Sequence, residues 1–316
     1  MPAALSSWFR READRGWVAL APEGDRVRAV HVVHEPACRP ALRWACTGSW
    51  AEPALALRAL RRARRLRREP SVLLLRHGQY RLQVLDAPED VPREQWRDAL
   101  RWRLKDTVDF AVEGAGIDLL DIAPDPQGRR RSSVLAVAAA RPVLEPLVCA
   151  GRDAGWPWQA IDVPESALRN LCLLCAEPGR GQALLHVGSA LGTLVITVGT
   201  DLLVTRDIDL GLDRLAGADA SARRAHHERV GLELQRTLDN IERQHGHVDL
   251  ARLQVAPGAP LHDFIDYLGQ LVDVPVTAFE LGAVLDLSAV PELGDAAEQA
   301  GYLPAVGAAL RGLEGA

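Results

Sequence analysis

The sequence predicts an α/β protein of two domains, each a β-sheet covered by helices. Three observations carry that reading. A chain of 316 residues with 48% apolar content buries two ordinary cores more readily than one large one. Each half opens on short apolar, partly β-branched runs separated by glycine-bearing turns, the pattern of hairpins. Longer stretches with apolar residues at helical spacing follow those runs. Other classes drop out on composition. A formal charge of −5 argues against a general nucleic-acid binder, although almost all the positive charge is arginine and Lys105 is the only lysine. No run reaches the ~18 uninterrupted apolar residues of a spanning helix. Residues 1–16 lack the basic start and apolar core of a secretion signal, so the expectation is a soluble, cytoplasmic protein.

In the first half, Trp17–Leu20 and Val27–Val33 read as strands joined through Ala21–Arg26, with Pro22 and Gly24 as turn formers. Leu55–Arg68 reads as a helix with Leu55, Ala59, Leu60, Ala63 and Leu66 on one side and seven arginines from Arg58 to Arg68 on the rest. Such a face is either solvated or meets anionic headgroups or an acidic partner. Ser71–Arg76 and Tyr80–Leu85 read as a strand pair joined at His77–Gly78–Gln79. The next helix, Arg93–Val108, starts after Pro92 and buries Trp96, Leu100 and Leu104 at i, i+4 and i+8. Trp102 lies off that stripe, which leaves it either covered by a neighbouring segment or presented to a partner. Arg129–Arg131 marks an exposed turn before Ser132–Ala139, an apolar strand expected to return to the first sheet. Helix Pro142–Ala154, strand Gln159–Val163 and a connecting helix Pro164–Ala176 complete this half, with a linker at Glu177–Gln182 and the boundary near 178.

In the second half, Leu184–Val187, Thr193–Val198 and Leu202–Thr205 read as consecutive strands separated by Gly188–Gly192 and Gly199–Asp201. Glycines in the first of these turns allow its backbone N–H groups to face outward and cradle a phosphate; the plainer alternative is a tight turn. Asp207 and Asp209, with Asp201 and Asp213 nearby, read as solvated strand edges and turn caps rather than a metal cluster. Helix Ala222–Gln244 carries Val230, Leu234, Leu238 and Ile241 on one stripe, flanked by His226–His227 and by His245 and His247, which are too far apart to argue for a metal. Strand Leu253–Ala256, helix Leu261–Val272, edge strand Pro275–Phe279 and closing helix Tyr302–Leu313 follow. The five cysteines form neither an even framework nor metal-ligand clusters. Cys172 and Cys175 share a helical face with Leu168 and Leu171 and read as core.

The run from Ala183 to Gly211, strand–G-S-x-x-G-T–strand–turn–strand–T-R-x-I-x-x-G, resembles the second phosphate hairpin of the actin-like ATPase superfamily, in the form found in the PilM and MshI assembly proteins of type IV and MSHA pili. Ala99–Asp121, Val230–Ile241 and Tyr302–Gly312 agree with that family in order. The resemblance implies an actin-like, ribonuclease-H-like fold. Domain I would span residues 1–177, with an inserted subdomain at about 36–130 and completion by the C-terminal helix 302–316; domain II would span 178–301. It implies ATP with Mg²⁺ in the cleft, with Gly188, Ser189, Gly192 and Thr193 as the nucleotide contacts.

The departures from the family's pattern are equally specific. The aspartate that ends the first strand in active members falls near Ala19, and Pro22 lacks a backbone donor. The D-x-G of the second hairpin is His186-Val187-Gly188, and imidazole is a poor substitute for a carboxylate around Mg²⁺. Pro257-Gly258-Ala259-Pro260 replaces the glycine pair that admits adenosine. Two functions follow from the resemblance: a non-hydrolysing scaffold that binds the cytoplasmic tail of a PilN-like inner-membrane protein in a groove beside the inserted subdomain, with Trp102 as the candidate anchor, or a nucleotide-gated switch or weak ATPase.

Overall fold

The computed structural model describes residues 16–34, 38–122, 132–244, 248–258 and 261–312. The first hairpin pairs β1 (Trp17–Glu23) with β2 (Arg26–Val33) in antiparallel register, Glu23 opposite Arg26, around a turn in which Gly24 takes φ +55°. A positive φ at low cost is what glycine supplies there. Next come β3 (Ala41–Ser49), helix α1 (Pro53–Arg64) and β4 (Ser71–Leu74). With β8 (Ala160–Asp162) they make a sheet in the order β3-β2-β1-β4-β8. The second half repeats this arrangement. Strands β9 (Gly181–Val187), β10 (Gly192–Val198), β11 (Asp201–Ile208), β12 (Leu250–Ala256) and β13 (Val276–Ala278) form a sheet ordered β11-β10-β9-β12-β13. In both sheets the second strand runs antiparallel to its neighbours and the fourth and fifth run parallel to the first. This is the ribonuclease-H-like sheet used twice, the actin-like fold. Residues 17–33 and 183–205 lie in different sheets, as that architecture requires.

A third sheet, ordered β5-β7-β6, is inserted between β4 and β8. It contains β5 (Tyr80–Asp86), β6 (Gly116–Asp121) and β7 (Ser133–Ala139), with helix α2 (Trp96–Leu104) packed on it. Three expectations change here. Ser71–Leu74 and Tyr80–Asp86 are not a hairpin: β4 is buried along its whole length with β1 and β8 on its two edges, so β5 pairs β7 instead. Ser133–Ala139 does not return to the first sheet, because β5 and β6 occupy both its edges. The separate sheet spans residues 80–139 rather than about 36–130, since Ala41–Ser49 pairs with β2. β3 is an edge strand with half-exposed positions and no clean alternation, which is why its sequence reads weakly.

The remaining helices are α3 (Arg141–Asp153), α4 (Pro164–Leu173), α5 (Leu212–Ala216), α6 (Ala220–Gln244), α7 (His262–Leu271), α8 (Leu281–Val284) and α9 (Ala296–Ala309). Val230, Leu234, Leu238 and Ile241 of α6 pack with Phe264 of α7 on Leu185, Leu194 and Ile196 of the second sheet. Helices α4 and α9 cross at Gly307, where a Cβ would lie 2.0 Å from the Ala167 carbonyl oxygen, and Asn170 Nδ2 donates to the Gly307 carbonyl at 2.9 Å. Their apolar faces join Ala19 and Val30 of the first sheet to Leu184 and Val195 of the second in one core. Cys172 is buried in that core and Cys175 is half-buried beside it. On α1 the fully buried residue is Leu57, and of the expected stripe Leu60 and Leu66 pack with it whereas Leu55, Ala59 and Ala63 are exposed, so the stripe is only partly inward. Arg129–Arg131, His245, His247, Ala259, Pro260 and residues 1–15 lie outside the described residues.

Candidate functional site

The β1–β2 and β9–β10 turns meet. Ser189 Oγ donates to Glu23 Oε1 at 2.5 Å, a contact between residues 166 positions apart, and Arg28 Nη1 donates to the other Glu23 oxygen. Burial alone would raise the Glu23 carboxyl, but the Ser189 hydroxyl and the Arg28 guanidinium outweigh it and hold the group below the usual carboxylate range. A charged carboxylate therefore sits between the two turns. Part of the backbone of the second turn is committed inside the protein: Gly188 N donates to Leu191 O, Leu212 N to Gly188 O and Asp213 N to Ser189 O. Gly192 opens β10 opposite Val187 and Ile208.

The two positions where carboxylates are expected are filled otherwise. Ala19 is a core residue with no exposed surface. His186 is buried, and because a carbonyl only accepts, its Nε2 must carry the proton that bonds Ala300 O at 2.7 Å. Burial lowers its pKa despite that bond, so the ring is neutral at physiological pH and ties β9 to α9.

Thr193 is buried beside a second group of polar side chains. Its Oγ1 lies 3.5 Å from His77 Nε2. His77, Glu165 and Asp207 bring one imidazole nitrogen and two carboxylates within 4.8 Å of one another, Asp207 being the β11 partner of Thr193. Tyr80 lies 2.8 and 2.7 Å from the two Glu165 oxygens, donating its hydroxyl to the carboxylate. Burial raises the Glu165 pKa against the pull of Tyr80, and burial together with Glu165 keeps the phenol protonated. Asp207 is thus drawn into a cluster rather than being only a solvated edge, whereas Asp209 pairs with Arg214 and Arg229 as a surface carboxylate.

Of the expected nucleotide contacts, Gly188 and Ser189 border Glu23, while Gly192 and Thr193 run toward His77. Sequence reasoning passed over Glu23, Arg28, His77, Tyr80 and Glu165. The available signals were an acidic residue inside the first glycine turn and a glutamate at the start of the connecting helix. Phosphates bridging the turns would face the Glu23 carboxylate, the donor Gly188 N is already used, and neither Ala19 nor His186 offers a carboxylate to Mg²⁺.

On the inserted sheet, α2 buries Leu100 and Leu104, with Trp96 half-buried. Trp102 is 60% exposed, and its main side-chain company is Lys105, whose Nζ lies 5.4 Å from the ring centroid. Among the described residues, the core clusters beneath α2 do not include it. The segment after the helix is pinned by Arg101, which donates to the Val112 and Ala115 carbonyls, and by the pair Arg81–Asp109.

No family model matches the chain, and no curated protein matches it. Among solved structures it is similar to a chain of the PilM-PilN type IV pilus biogenesis complex, at 21% identity and TM-score 0.72, over 95% of this chain and 99% of that one. A Bacteroides thetaiotaomicron protein with an actin-like ATPase fold and unknown function aligns at 7% identity and TM-score 0.48, over 90% of this chain and 98% of its own. The cytoplasmic domain of EpsL, an inner-membrane component of the Vibrio cholerae type II secretion system, aligns at 13% identity and TM-score 0.42, over 64% and 75%. The chain therefore shares, over nearly its whole length, the actin-like fold of the chain in the PilM-PilN complex.

Proposed function

We propose that this protein is a cytoplasmic scaffold of type IV or MSHA pilus machinery, or of a related secretion system, that binds the cytoplasmic tail of a PilN-like inner-membrane protein. The observation that carries the reading is the shared fold over 95% of this chain with a chain from a complex named for PilM and PilN. The Glu23–Ser189 bridge supports a degenerate nucleotide site, since a carboxylate replaces the ligand between the turns. Among the described residues no helix is long and apolar enough to cross a membrane, and membrane association is proposed to run through the partner.

A tail bound in extended form beside the third sheet takes apolar anchors into pockets and uses backbone hydrogen bonds for register. Trp102 is the proposed anchor on the protein's side. The experiment is co-purification with inner-membrane proteins encoded beside this chain, then calorimetry with the captured tail. Trp102→Ala should weaken binding by ~2 kcal/mol, about thirtyfold. Unchanged affinity removes Trp102 from the site, and failure to capture any such tail removes the scaffold reading. Phosphate release from ATP with Mg²⁺ should not exceed background, in the native chain or in His186→Asp; clear turnover by the native chain would restore the enzyme reading.

A further inference from the structure

His77, Glu165 and Asp207 come from three distant places in the chain that the fold draws to one point. His77 lies in the connection from β4 to β5, where the inserted sheet leaves the first domain. Glu165 is in the first turn of α4, and Asp207 lies near the end of β11 in the second sheet. One imidazole nitrogen and one oxygen of each carboxylate all lie within 4.8 Å of one another. Ligands bound at about 2.1 Å to one tetrahedral ion stand roughly 3.4 Å apart, so the group closes on an ion with movements of about 1 Å. The side chains that have to move have the room, since those of His77 and Asp207 are 38% and 58% exposed.

The geometry argues for a cation between these groups rather than a plain ion pair. His77 Nδ1 stands 3.8 Å from Asp207 Oδ1, beyond hydrogen-bond range, so the imidazole does not close on that carboxylate. A metal on Nδ1 leaves the ring proton on Nε2, and Thr193 Oγ1 lies 3.5 Å from that nitrogen to receive it. Glu165 is 4% exposed, and Tyr80 meets both its oxygens with a neutral hydroxyl. A hydroxyl orients a carboxylate without supplying the positive charge that burial calls for. Tyr80 and Thr193 are thus placed as outer partners of the ligands they touch, the arrangement that fixes the orientation of metal ligands.

We propose that His77, Glu165 and Asp207 bind a divalent first-row transition-metal ion, of the zinc or manganese class, that joins the two domains. One imidazole and two carboxylates suit such an ion, whereas Mg²⁺ gives up its water reluctantly and prefers oxygen ligands. The ion holds the β4–β5 connection and the start of α4 against β11 of the second sheet. Neither the two hairpin turns nor Trp102 supplies a ligand, so the site depends on no nucleotide and on no partner tail.

The test is calorimetry of the full chain, stripped with EDTA and titrated near neutral pH with ZnCl₂, MnCl₂ and MgCl₂. Zn²⁺ should bind more tightly than Mn²⁺, and Mg²⁺ more weakly than either. His77→Ala and Asp207→Asn should each weaken Zn²⁺ binding by at least about tenfold, and Tyr80→Phe, which removes no ligand, by about tenfold. Zn²⁺ should also raise the melting temperature of the native chain and leave that of His77→Ala unmoved. Both ligand variants change exposed side chains, so in EDTA they should melt with the native chain. A native chain that binds no Zn²⁺, a His77→Ala variant that binds it equally, or Mg²⁺ that binds as tightly as Zn²⁺ overturns the proposal. So does a His77→Ala variant that melts well below the native chain in EDTA while Zn²⁺ moves neither, which would make the three residues an ion-paired contact between the domains.

Discussion

The two large sheets share strand order and direction yet are covered differently. The second sheet is sealed on its outer face: α6 and α7 put Leu234, Phe264 and Leu268, all fully buried, on β9 and β10. On its outer face the first sheet is covered by the shorter α1, with α3 behind it, and by Trp50 and Trp156. It also carries the inserted sheet as an extra surface. Repeating a topology thus repeats the backbone ladder without fixing which faces are finished. One half is a closed core, and the other keeps a partly exposed edge strand under a shorter helix. The hairpin turns differ in the same way, since the first contributes the Glu23 carboxylate and the second the Ser189 hydroxyl that binds it.

The largest expected effects test whether the two outer faces are closed to different degrees. Leu234→Ala in the sealed half and Leu57→Ala beneath α1 should each cost ~3 kcal/mol, because both remove a fully buried side chain and leave a cavity. Leu55→Ala, two residues from Leu57 but 52% exposed, should stay within about 0.5 kcal/mol. Urea titrations of the three variants measure this. A Leu55 variant as damaged as the Leu57 variant would mean that the first sheet is as sealed as the second.

The next effect lies where the inserted sheet meets the connecting helix. Tyr80→Phe should cost ~2 kcal/mol, because it leaves the buried Glu165 carboxyl without its donor. Burial raises the Glu165 pKa above its ordinary 4.5. The folded chain therefore holds that proton longer than the unfolded chain does. Stability from this group is full below pH 4.5 and declines as pH rises toward the folded value. Glu165→Gln should remove the decline, and denaturant unfolding at a series of pH values measures it. A slope unchanged in the variant would place the coupling elsewhere.

Much of the scaffold was legible in the sequence because it is written in local periodicity. The α6 stripe Val230, Leu234, Leu238 and Ile241 and the α2 stripe Trp96, Leu100 and Leu104 both face cores, and the β9–β10–β11 run is a hairpin series. What failed was pairing. Ser71–Leu74 looks like half of a hairpin, but a short strand buried throughout does not declare whether its neighbours are local or distant. The insertion itself was expected, but the membership of β7 in its sheet was misread for the same reason, as β7 carries the same kind of buried run. On α1 the arginine-rich composition hid the inward position of Leu57. The candidate site was legible in part: the second turn and the missing carboxylates could be read, while Glu23–Ser189 and His77–Glu165–Asp207 join residues from distant segments.

A smaller effect sharpens the comparison of the turns. Ser189→Ala removes a hydrogen bond to a charged but half-exposed carboxylate and should cost ~1 kcal/mol, below the range for buried charged bonds because solvent screens the site. Gly188 and Leu191 keep their backbone bond in this variant, so the turn itself should survive. Loss of the second hairpin's amide protection from hydrogen exchange would show instead that the hydroxyl holds the turn.

The smallest effect is the acid dependence of Glu23, and its sign is opposite to that of Glu165. The Ser189 hydroxyl and Arg28 outweigh burial and depress the folded pKa below 4.5. The unfolded chain therefore takes up the proton first as pH falls. The stabilisation from Glu23 is present above pH 4.5 and is lost as pH drops through the folded value. Because the side chain is 46% exposed, the change should amount to well under ~1 kcal/mol. Glu23→Gln keeps the shape and a weaker acceptor for Ser189 but cannot titrate. The stability gap between the native chain and this variant should be widest near neutral pH and should close on acidification. The measurement is a pair of urea midpoints for each protein, at pH 7 and below pH 4. A gap that widens in acid would mean that the carboxylate is strained between the two turns rather than held by them, and that the space between the hairpins favours a neutral group.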